Sequence, residues 1–288
     1  MDIVLGATGR VGSALVEALR TQDRLVRAVV RNDAKAEKLR KMGASIAVAN
    51  FADARTVRSA FAGGDSIFIV TAEDPASADG VAEATAFIEM CRDAIQAVGI
   101  RRVIGLSSDG AQHPSGTGFL MVSYRLEHAL DGLATEKTFI RPSYYYSNWM
   151  MSVSVVRESG ILPTFFPIDL AIPMIAPEDV ARFAAKVFTG GVEPRIVHEI
   201  TGPCSYTSVD IARMLGEALG SAVKVHQIPE EAWLHTLTGV GFSPANARYM
   251  ADMTAAVISG LTAIEGSQTI MPTTFPEYAR QYLATGVH

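Results

Sequence analysis

The first fourteen residues, MDIVLGATGRVGSA, constrain the fold of this chain more than any other stretch. Residues 3–5 form an apolar, partly β-branched run that is long enough for a buried parallel strand. Gly6, Gly9 and Gly12 follow at three-residue spacing. From Val11 onward, apolar residues recur with the period of a helix. A strand, a glycine-rich turn and a helix in this order predict a dinucleotide-binding βα unit.

Each glycine has a separate task in such a unit. Gly6 permits the tight turn, Gly9 lets the backbone approach a pyrophosphate, and Gly12 lets the helix pack closely on the strand. The first turn of the helix then offers free N–H groups and a positive dipole end to the phosphates. The other turn residues that we predict to contact the cofactor are Thr8, Arg10 and Val11. The alternative is a βα turn that contains glycines and binds no ligand.

The residue after the second predicted strand indicates which dinucleotide would bind. In NAD-specific sites an Asp or Glu usually ends this strand and binds the ribose 2′-hydroxyl. Here residues 25–30 are followed by Arg31, and Arg10 lies in the glycine turn. Two guanidinium groups suit a 2′-phosphate, which Arg can bind bidentately. We therefore predict NADP(H) rather than NAD(H); the alternative is that Arg31 is a solvated charge at the strand end.

Short apolar strands alternate with helices through residue 142, which predicts an α/β fold with a Rossmann-like, doubly wound parallel sheet. Ligands of such sheets bind at the carboxyl ends of the strands. The predicted cofactor contacts there are Asn50 and Phe51 after the third strand, Thr71 and Ala72 after the fourth, Ser107 after the fifth, and Pro142 and Tyr144 after the sixth. Phe51 would stack on the adenine ring or, alternatively, seal the sheet edge.

Length and composition narrow the class of protein. The 288 residues allow one large domain or two lobes. We expect an NADP-binding Rossmann domain over residues 1–148, to whose sheet residues 183–201 return, and a smaller, mainly helical C-terminal substrate lobe over 149–288.

The net charge of -5 argues against a nucleic-acid-binding surface, and no apolar run approaches membrane-spanning length. Two distant cysteines predict neither a disulfide framework nor a metal site, and they suit a reducing cytoplasm.

The sequence resembles one family along nearly its whole length. The motifs are GATGRVG at 6–12, RAVVRN at 27–32, SSDG at 107–110, RPSYYYSNW at 141–149, PMIAPEDVA at 173–181 and ITGPCSYTSVDIA at 200–212. In this order they look like the NmrA-like branch of the atypical short-chain dehydrogenases/reductases, although Leu5 stands where many relatives have Thr. The resemblance implies an NADP-binding fold with a small helical lobe. It also implies a quinone oxidoreductase, an azo- or triphenylmethane-dye reductase, or a redox-sensing regulator that binds NADP without turnover.

The tyrosine and lysine pair used by reductases of the wider superfamily is incomplete here. Tyr124 lies at the expected place after the fifth strand, but the fourth residue on is His128 rather than Lys. A lysine would help the phenol to exchange a proton with substrate. Tyr124 is therefore either a proton donor, with Ser108 as its partner, or a helix residue without a chemical role. Tyr145 is the second catalytic candidate, because residues 144–146 are tyrosines at the mouth of the predicted crevice.

The missing lysine favours an acceptor whose proton step is undemanding. Reduction of a quinone, an azo compound or a cationic dye delivers hydride to a strongly electron-poor centre, and water can protonate the product anion. We therefore predict an NADPH-dependent reductase of small aromatic or quinone-like acceptors; a homodimer remains open. One alternative is a non-catalytic NADP(H) sensor that binds a protein partner. Another is a nucleotide-sugar epimerase or dehydratase, which the missing lysine disfavours.

Overall fold

Thirteen strands lie in the part of the chain that the structure describes. The structure is a computed structural model, and it describes residues 1–71, 74–264 and 266–285. The strands are β1 (Asp2–Val4), β2 (Val26–Val30), β3 (Ser45–Val48), β4 (Ser66–Ile69), β5 (Arg102–Leu106), β6 (Glu136–Pro142), β7 (Tyr144–Tyr145), β8 (Ile161–Thr164), β9 (Ile172–Ile175), β10 (Val197–Thr201), β11 (Ser205–Tyr206), β12 (Lys224–Gln227) and β13 (Thr269–Ile270).

Twelve α-helices accompany these strands within the same described ranges. They are α1 (Arg10–Arg20), α2 (Glu37–Lys41), α3 (Ala54–Phe61), α4 (Gly80–Val98), α5 (Met121–Ala129), α6 (Tyr146–Met150), α7 (Val153–Ser159), α8 (Pro177–Phe188), α9 (Ser208–Leu219), α10 (Trp233–Gly239), α11 (Pro244–Ile258) and α12 (Phe275–Ala284). Short 3₁₀ helices cover Asp33–Lys35, Gly118–Leu120 and Glu230–Ala232. No helix among the described residues is long and apolar enough to cross a membrane.

The main sheet has the order β3-β2-β1-β4-β5-β6-β10-β13, and each neighbouring pair is parallel. One apolar core lies between this sheet and helices α1 and α8, and includes Leu15 and Phe183. A second core lies on the opposite face with α3, α4 and α5, and includes Phe61 and Ile88. Strands β1 and β4 are buried throughout, as expected for a parallel sheet covered on both faces. The predicted Rossmann-like, doubly wound fold is confirmed.

The C-terminal part is built around a third apolar core. Its members include Trp149 of α6, Leu215 of α9 and Phe275 of α12. A small sheet of β7, β9 and β11 and a parallel pair of β8 and β12 accompany these helices. The chain returns to the main sheet where α8 packs on α1, β10 pairs with β6, and β13 pairs with β10.

Two helices differ in extent from what the sequence pattern predicts. The pattern predicts one helix over 34–42, capped by Asn32 or Asp33. The Asn32 side chain does cap this segment by accepting from Ala34 N, but the segment is divided into a 3₁₀ turn and α2. The pattern also predicts a helix from about residue 77, whereas α4 begins at Gly80, because Asp79 accepts from Ala82 N as its N-cap. These differences leave the strand ends that form the crevice unchanged.

Candidate cofactor and acceptor site

The glycine turn, residues 6–12, connects β1 to α1 tightly. Gly6 has a φ of +60°, and the N–H of Gly9 donates to the Gly6 carbonyl at 2.8 Å. A Cβ atom on Gly12 would lie 2.2 Å from that same carbonyl oxygen. The first and third glycines are therefore required by the fold of the turn itself.

The middle of this turn is open to a ligand. Thr8, Gly9 and Arg10 are exposed, whereas Gly12 is buried. Gly9 is the N-cap residue of α1 and provides no side-chain cap. The first turn of α1 contains no acidic residue. A Cβ atom on Gly9 would meet only the Gly6 carbonyl, at 3.2 Å. The free N–H groups and positive dipole end of α1 thus face a space that suits a phosphate.

The two arginines predicted to bind a 2′-phosphate have different surroundings. Arg31 is exposed after β2, and among the described residues its side chain has no hydrogen-bond or ion-pair partner. Arg10 instead extends to α12, where its Nη1 donates to the Tyr278 hydroxyl at 3.2 Å. The Arg10 guanidinium carbon also lies 5.2 Å from the centroid of the Tyr282 ring. Arg31 is thus free for an anion, and Arg10 is held by the last helix.

The predicted contacts after β3 and β4 form turns around the sheet edge. Asn50 accepts from Ala52 N at 3.0 Å through its side chain, which shapes the turn after β3. The half-buried Phe51 ring packs on Phe87 of α4, with the ring centroids 4.7 Å apart. This packing supports the edge-sealing interpretation of Phe51 and leaves its contact with adenine a prediction. Thr71 is half-buried after β4. Ala72 lies outside the described residues.

Three charged side chains form a largely buried group near the carboxyl ends of the inner strands, which we call the charge cluster: Glu127 of α5, Arg141 of β6 and Glu199 of β10. Nε of Arg141 donates to Oε1 of Glu127 at 2.8 Å, and Nη2 donates to Oε2 at 2.6 Å. Nη1 of Arg141 lies 3.6 Å from Oε1 of Glu199, its cross-strand neighbour. The predicted cofactor residue Ser107 is buried and donates to Oε1 of Glu127 at 2.5 Å. The guanidinium is therefore already engaged by two carboxylates.

Asp109 lies beside the charge cluster, three residues beyond the end of β5. Its backbone N–H donates to the carbonyl of Pro142, the last residue of β6, at 3.3 Å. Its Oδ1 is buried and has no hydrogen-bond partner among the described residues. Burial, together with the negative charge of Glu199, raises the pKa of Asp109 to about 8, and the opposing effect of Arg141 is smaller. The carboxyl group of Asp109 is therefore mostly protonated at neutral pH.

The hydroxyl of Tyr145 is a second polar group at this edge that is left unpaired. It is buried and has no hydrogen-bond partner among the described residues. Burial raises the pKa of Tyr145, and the charge of Asp109 raises it further. The neighbouring Tyr144 ring packs edge-on against Phe166, with 5.5 Å between the centroids, and burial raises the pKa of Tyr144 to about 12. Both phenols are therefore neutral at ordinary pH, and each keeps an O–H group that can donate a hydrogen bond.

Tyr124 and His128 form a local pair on α5. Their rings stack with centroids 4.0 Å apart, and Nδ1 of His128 lies 2.8 Å from the Tyr124 carbonyl oxygen. The Ser108 hydroxyl, which sequence reasoning pairs with Tyr124, donates to the Asp109 carbonyl instead. The described contacts therefore do not connect Tyr124 to a proton relay.

Asp109, Arg141 and Glu199 are site residues that sequence reasoning did not single out. Each is a charged residue within or just beyond an apolar strand of the main sheet. That position is the signal which could have identified them, because the strand ends of a doubly wound sheet line its ligand crevice. The described residues hold no group of His, Cys, Asp and Glu that could bind a metal ion.

Two surface cavities lie elsewhere, in the C-terminal part. One of about 920 Å³ lies between α9 and β12, and its lining includes Val209 and Val225. The other, of about 260 Å³, lies beside Trp233 and Phe165. Neither cavity is lined by the residues at the strand ends of the main sheet.

Comparison with known proteins agrees with this architecture. Residues 3–279 match the model of the NmrA-like family. The chain is 26% identical to NAD(P)H azoreductase of Xenophilus azovorans over 292 residues, covering 99% of this chain and 98% of that protein. It is 24% identical to quinone oxidoreductase 2 of Escherichia coli (strain K12) over 262 residues, covering 90% and 89%.

A solved structure of similar fold is the triphenylmethane reductase of Citrobacter sp. complexed with NADP(H). Its TM-score is 0.78 at 20% identity, with 98% of this chain and 99% of that chain covered. The match of residues 3–279 to the family model confirms the family expected from the sequence motifs. The chain belongs to the NmrA-like family.

Proposed function

We propose that this protein is an NADPH-dependent oxidoreductase that transfers hydride to a quinone or another electron-poor aromatic acceptor. The observation that carries the proposal is the open glycine turn, where the uncapped start of α1 faces solvent and Gly9 leaves room for a phosphate. The azoreductase and quinone oxidoreductase to which the chain is similar support a reductase activity.

The residues present fit NADPH. Arg10 and Val11 would offer backbone N–H groups to the pyrophosphate, Gly9 would let the backbone approach it, and Arg31 would bind the 2′-phosphate. The bound cofactor would supply hydride at its nicotinamide ring. The other residues proposed to contact it are Gly6, Thr8, Gly12, Asn50, Phe51, Thr71, Ala72, Ser107, Pro142 and Tyr144.

The acceptor would lie at the inner strand ends, near the aromatic residues that follow β6. Tyr145 presents a buried phenol without a protein partner, and this phenol can donate a hydrogen bond to an acceptor oxygen. The stacking of Tyr124 on His128 argues that Tyr124 has no direct part in the reaction. A flat, electron-poor acceptor needs mainly orientation at such a site. The cytoplasmic location and a homodimer remain predictions.

A NADP(H) sensor that binds a protein partner is the second candidate function. The observation in its favour is the replacement of the catalytic lysine by His128, which is exposed and bonded to its own helix. A sensor needs a glycine turn that binds the cofactor, but it needs no acceptor site.

The test is NADPH oxidation by the purified protein with a panel of quinones, azo compounds and triphenylmethane dyes. We expect steady turnover with at least one of these acceptors and tighter binding of NADPH than of NADH. Tight NADPH binding without turnover on the whole panel would contradict the reductase and support the sensor. Absence of nucleotide binding by calorimetry would contradict both.

A further inference from the structure

Two buried polar groups without partners lie at the same edge of the sheet. They are Oδ1 of Asp109 and the hydroxyl of Tyr145, and neither has a hydrogen-bond partner among the described residues. Leaving a buried polar group unpaired is energetically costly, so such groups in a folded protein call for an explanation. Two of them at the edge where this fold binds ligands suggest that a ligand is their partner.

The charge cluster explains why Asp109 stays neutral. The cluster and Asp109 together comprise three carboxyl groups, of Glu127, Glu199 and Asp109, and one guanidinium. Glu127 binds Arg141 through both oxygens, and Glu199 faces the third nitrogen. Arg141 is thus already engaged by two carboxylates, and ionising Asp109 would place a further negative charge beside Glu199. A carboxylic acid held neutral in this way keeps a proton that it can donate.

The location of both groups suits an acceptor at the inner strand ends. Asp109 is tied to the end of β6 by the hydrogen bond from its N–H to the Pro142 carbonyl. Tyr145 lies three residues after Pro142. The Asp109 carboxyl group is close enough that its ionised form raises the pKa of Tyr145. Both side chains follow strands whose carboxyl ends share the crevice edge with the glycine turn.

We propose that Asp109 is the catalytic acid of the reductase, that it protonates the reduced acceptor, and that Tyr145 donates a hydrogen bond to the same acceptor oxygen. This inference deepens the proposed function and rests on it. A quinone that has taken up hydride is a hydroquinone anion. The O–H bond of Asp109 breaks, a new O–H bond forms on the anion, and the electron pair stays on the carboxylate. Water then returns a proton to Asp109 before the next turnover.

The proposal separates acceptors by their proton requirement. A quinone or an azo compound takes up one hydride and one proton. A cationic triphenylmethane dye becomes a neutral leuco dye on taking up hydride alone, so it needs no acid. Asp109 should therefore matter for quinones and azo compounds and be dispensable for the dye.

The first experiment compares Asp109→Asn with the unaltered chain on both kinds of acceptor. We expect kcat with the quinone to fall about 100-fold, as for loss of a general acid, and kcat with the dye to change less than about twofold. The matched control is Asp131→Asn, an exposed aspartate after α5 that should change neither rate. An equal loss on both acceptors, or no loss on either, would overturn the catalytic role of Asp109.

The pH profile of the unaltered chain tests the same idea without a substitution. The acid is in its active form below the pKa of Asp109, about 8. We therefore expect kcat with the quinone to fall as the pH rises through about 8, while kcat with the dye stays level. A level quinone profile across this range would contradict the proposal. The charged and titratable groups that face Asp109 are Arg141, Tyr145 and Glu199.

Unfolding of the cofactor-free protein supplies a readout that is independent of activity. Because the pKa of Asp109 is raised in the folded state, the folded chain binds more protons than the unfolded chain between about pH 4 and 8. The stabilisation given by Asp109→Asn should therefore grow from about pH 5 to pH 8 and then level off. A constant difference between the two proteins would show that Asp109 is ionised in the fold.

The outcomes distinguish this inference from the proposed function. If the unaltered chain oxidises NADPH with no acceptor of the panel, the reductase function fails and Asp109 loses its catalytic role with it. If the chain reduces quinones and Asp109→Asn reduces them equally fast, only the role of Asp109 fails.

Discussion

The glycine turn and the charge cluster lie at the same edge of the main sheet, but the first consists of backbone groups and the second of side chains. The glycine turn is a short, continuous piece of backbone whose middle residues are exposed. The charge cluster joins side chains from α5, β6 and β10, and its members are largely buried. The backbone region offers binding groups that depend little on the rest of the fold. The buried region depends on several elements being in place at once.

The two regions should therefore respond differently to substitution. A change in the open part of the glycine turn should alter cofactor binding and leave stability almost unchanged. A change in the charge cluster should alter stability first, because a buried charge that loses its partner is costly.

The largest expected effect is on stability, for Glu127→Ala. Removing this carboxylate takes away both short hydrogen bonds of Arg141 and the partner of Ser107. We expect the free energy of unfolding to fall by about 3 kcal/mol, measured by urea denaturation. The control is Glu136→Ala at the opposite end of β6, where the glutamate of an Arg102 pair is 60% exposed. That change should cost less than about 1 kcal/mol, and equal losses would contradict the comparison.

The second effect separates two glycines of the same turn. Gly9→Val should raise the Kd for NADPH by at least about 100-fold, because the side chain fills the phosphate space. Its urea midpoint should fall only slightly, since a Cβ atom there would lie 3.2 Å from the Gly6 carbonyl oxygen. Gly12→Ala should lower the urea midpoint, because its Cβ would lie 2.2 Å from the Gly6 carbonyl oxygen. Calorimetric titration and denaturation of both variants give the result. Unchanged NADPH binding in Gly9→Val would contradict the proposal that the glycine turn binds the phosphates.

Arg31→Ala should have the third largest effect, and on one cofactor only. We expect the Kd for NADPH to rise about 10- to 100-fold through loss of a charge-assisted contact, with the Kd for NADH within about twofold of its original value. Arg10→Ala should change the ratio of the two affinities less, because Arg10 is bonded to Tyr278. Equal losses for both cofactors in Arg31→Ala would contradict the 2′-phosphate assignment.

The smallest effect should come from Tyr124→Phe. Its phenol has no described role in a relay, so kcat with a quinone should change by less than about threefold, whereas loss of a general acid costs about 100-fold or more. Tyr145→Phe is the matched variant and should lower kcat by about tenfold, through loss of one hydrogen bond to the acceptor. Steady-state rates with a quinone distinguish the two, and the reverse order would restore Tyr124 as the proton donor.

Most of the fold could be predicted from local sequence patterns. The β1 strand, the glycine turn and α1 follow from fourteen adjacent residues, and the alternation of strands with helices predicts the parallel sheet. The predicted start of α4 is less accurate, because a single capping side chain determines that the helix begins at Gly80.

The inner site could not be derived in the same way. Glu127 and Arg141 are 14 residues apart, and Ser107 lies 20 residues before Glu127, so only the packing of α5 on the sheet brings them together. The neutral state of Asp109 depends on which carboxylates have already engaged Arg141, and no spacing in the sequence records that. Sequence patterns specify the backbone cradle, whereas the proton chemistry of the site depends on tertiary contacts.

The contact between Arg10 and Tyr278 joins residues 268 positions apart. The position of α12 therefore determines where the Arg10 side chain of the glycine turn is held. Shortening the chain before Tyr278 would release the Arg10 side chain into solvent, and a fusion that displaces α12 would do the same. Changes to α12 would thus alter the surroundings of Arg10 in the glycine turn.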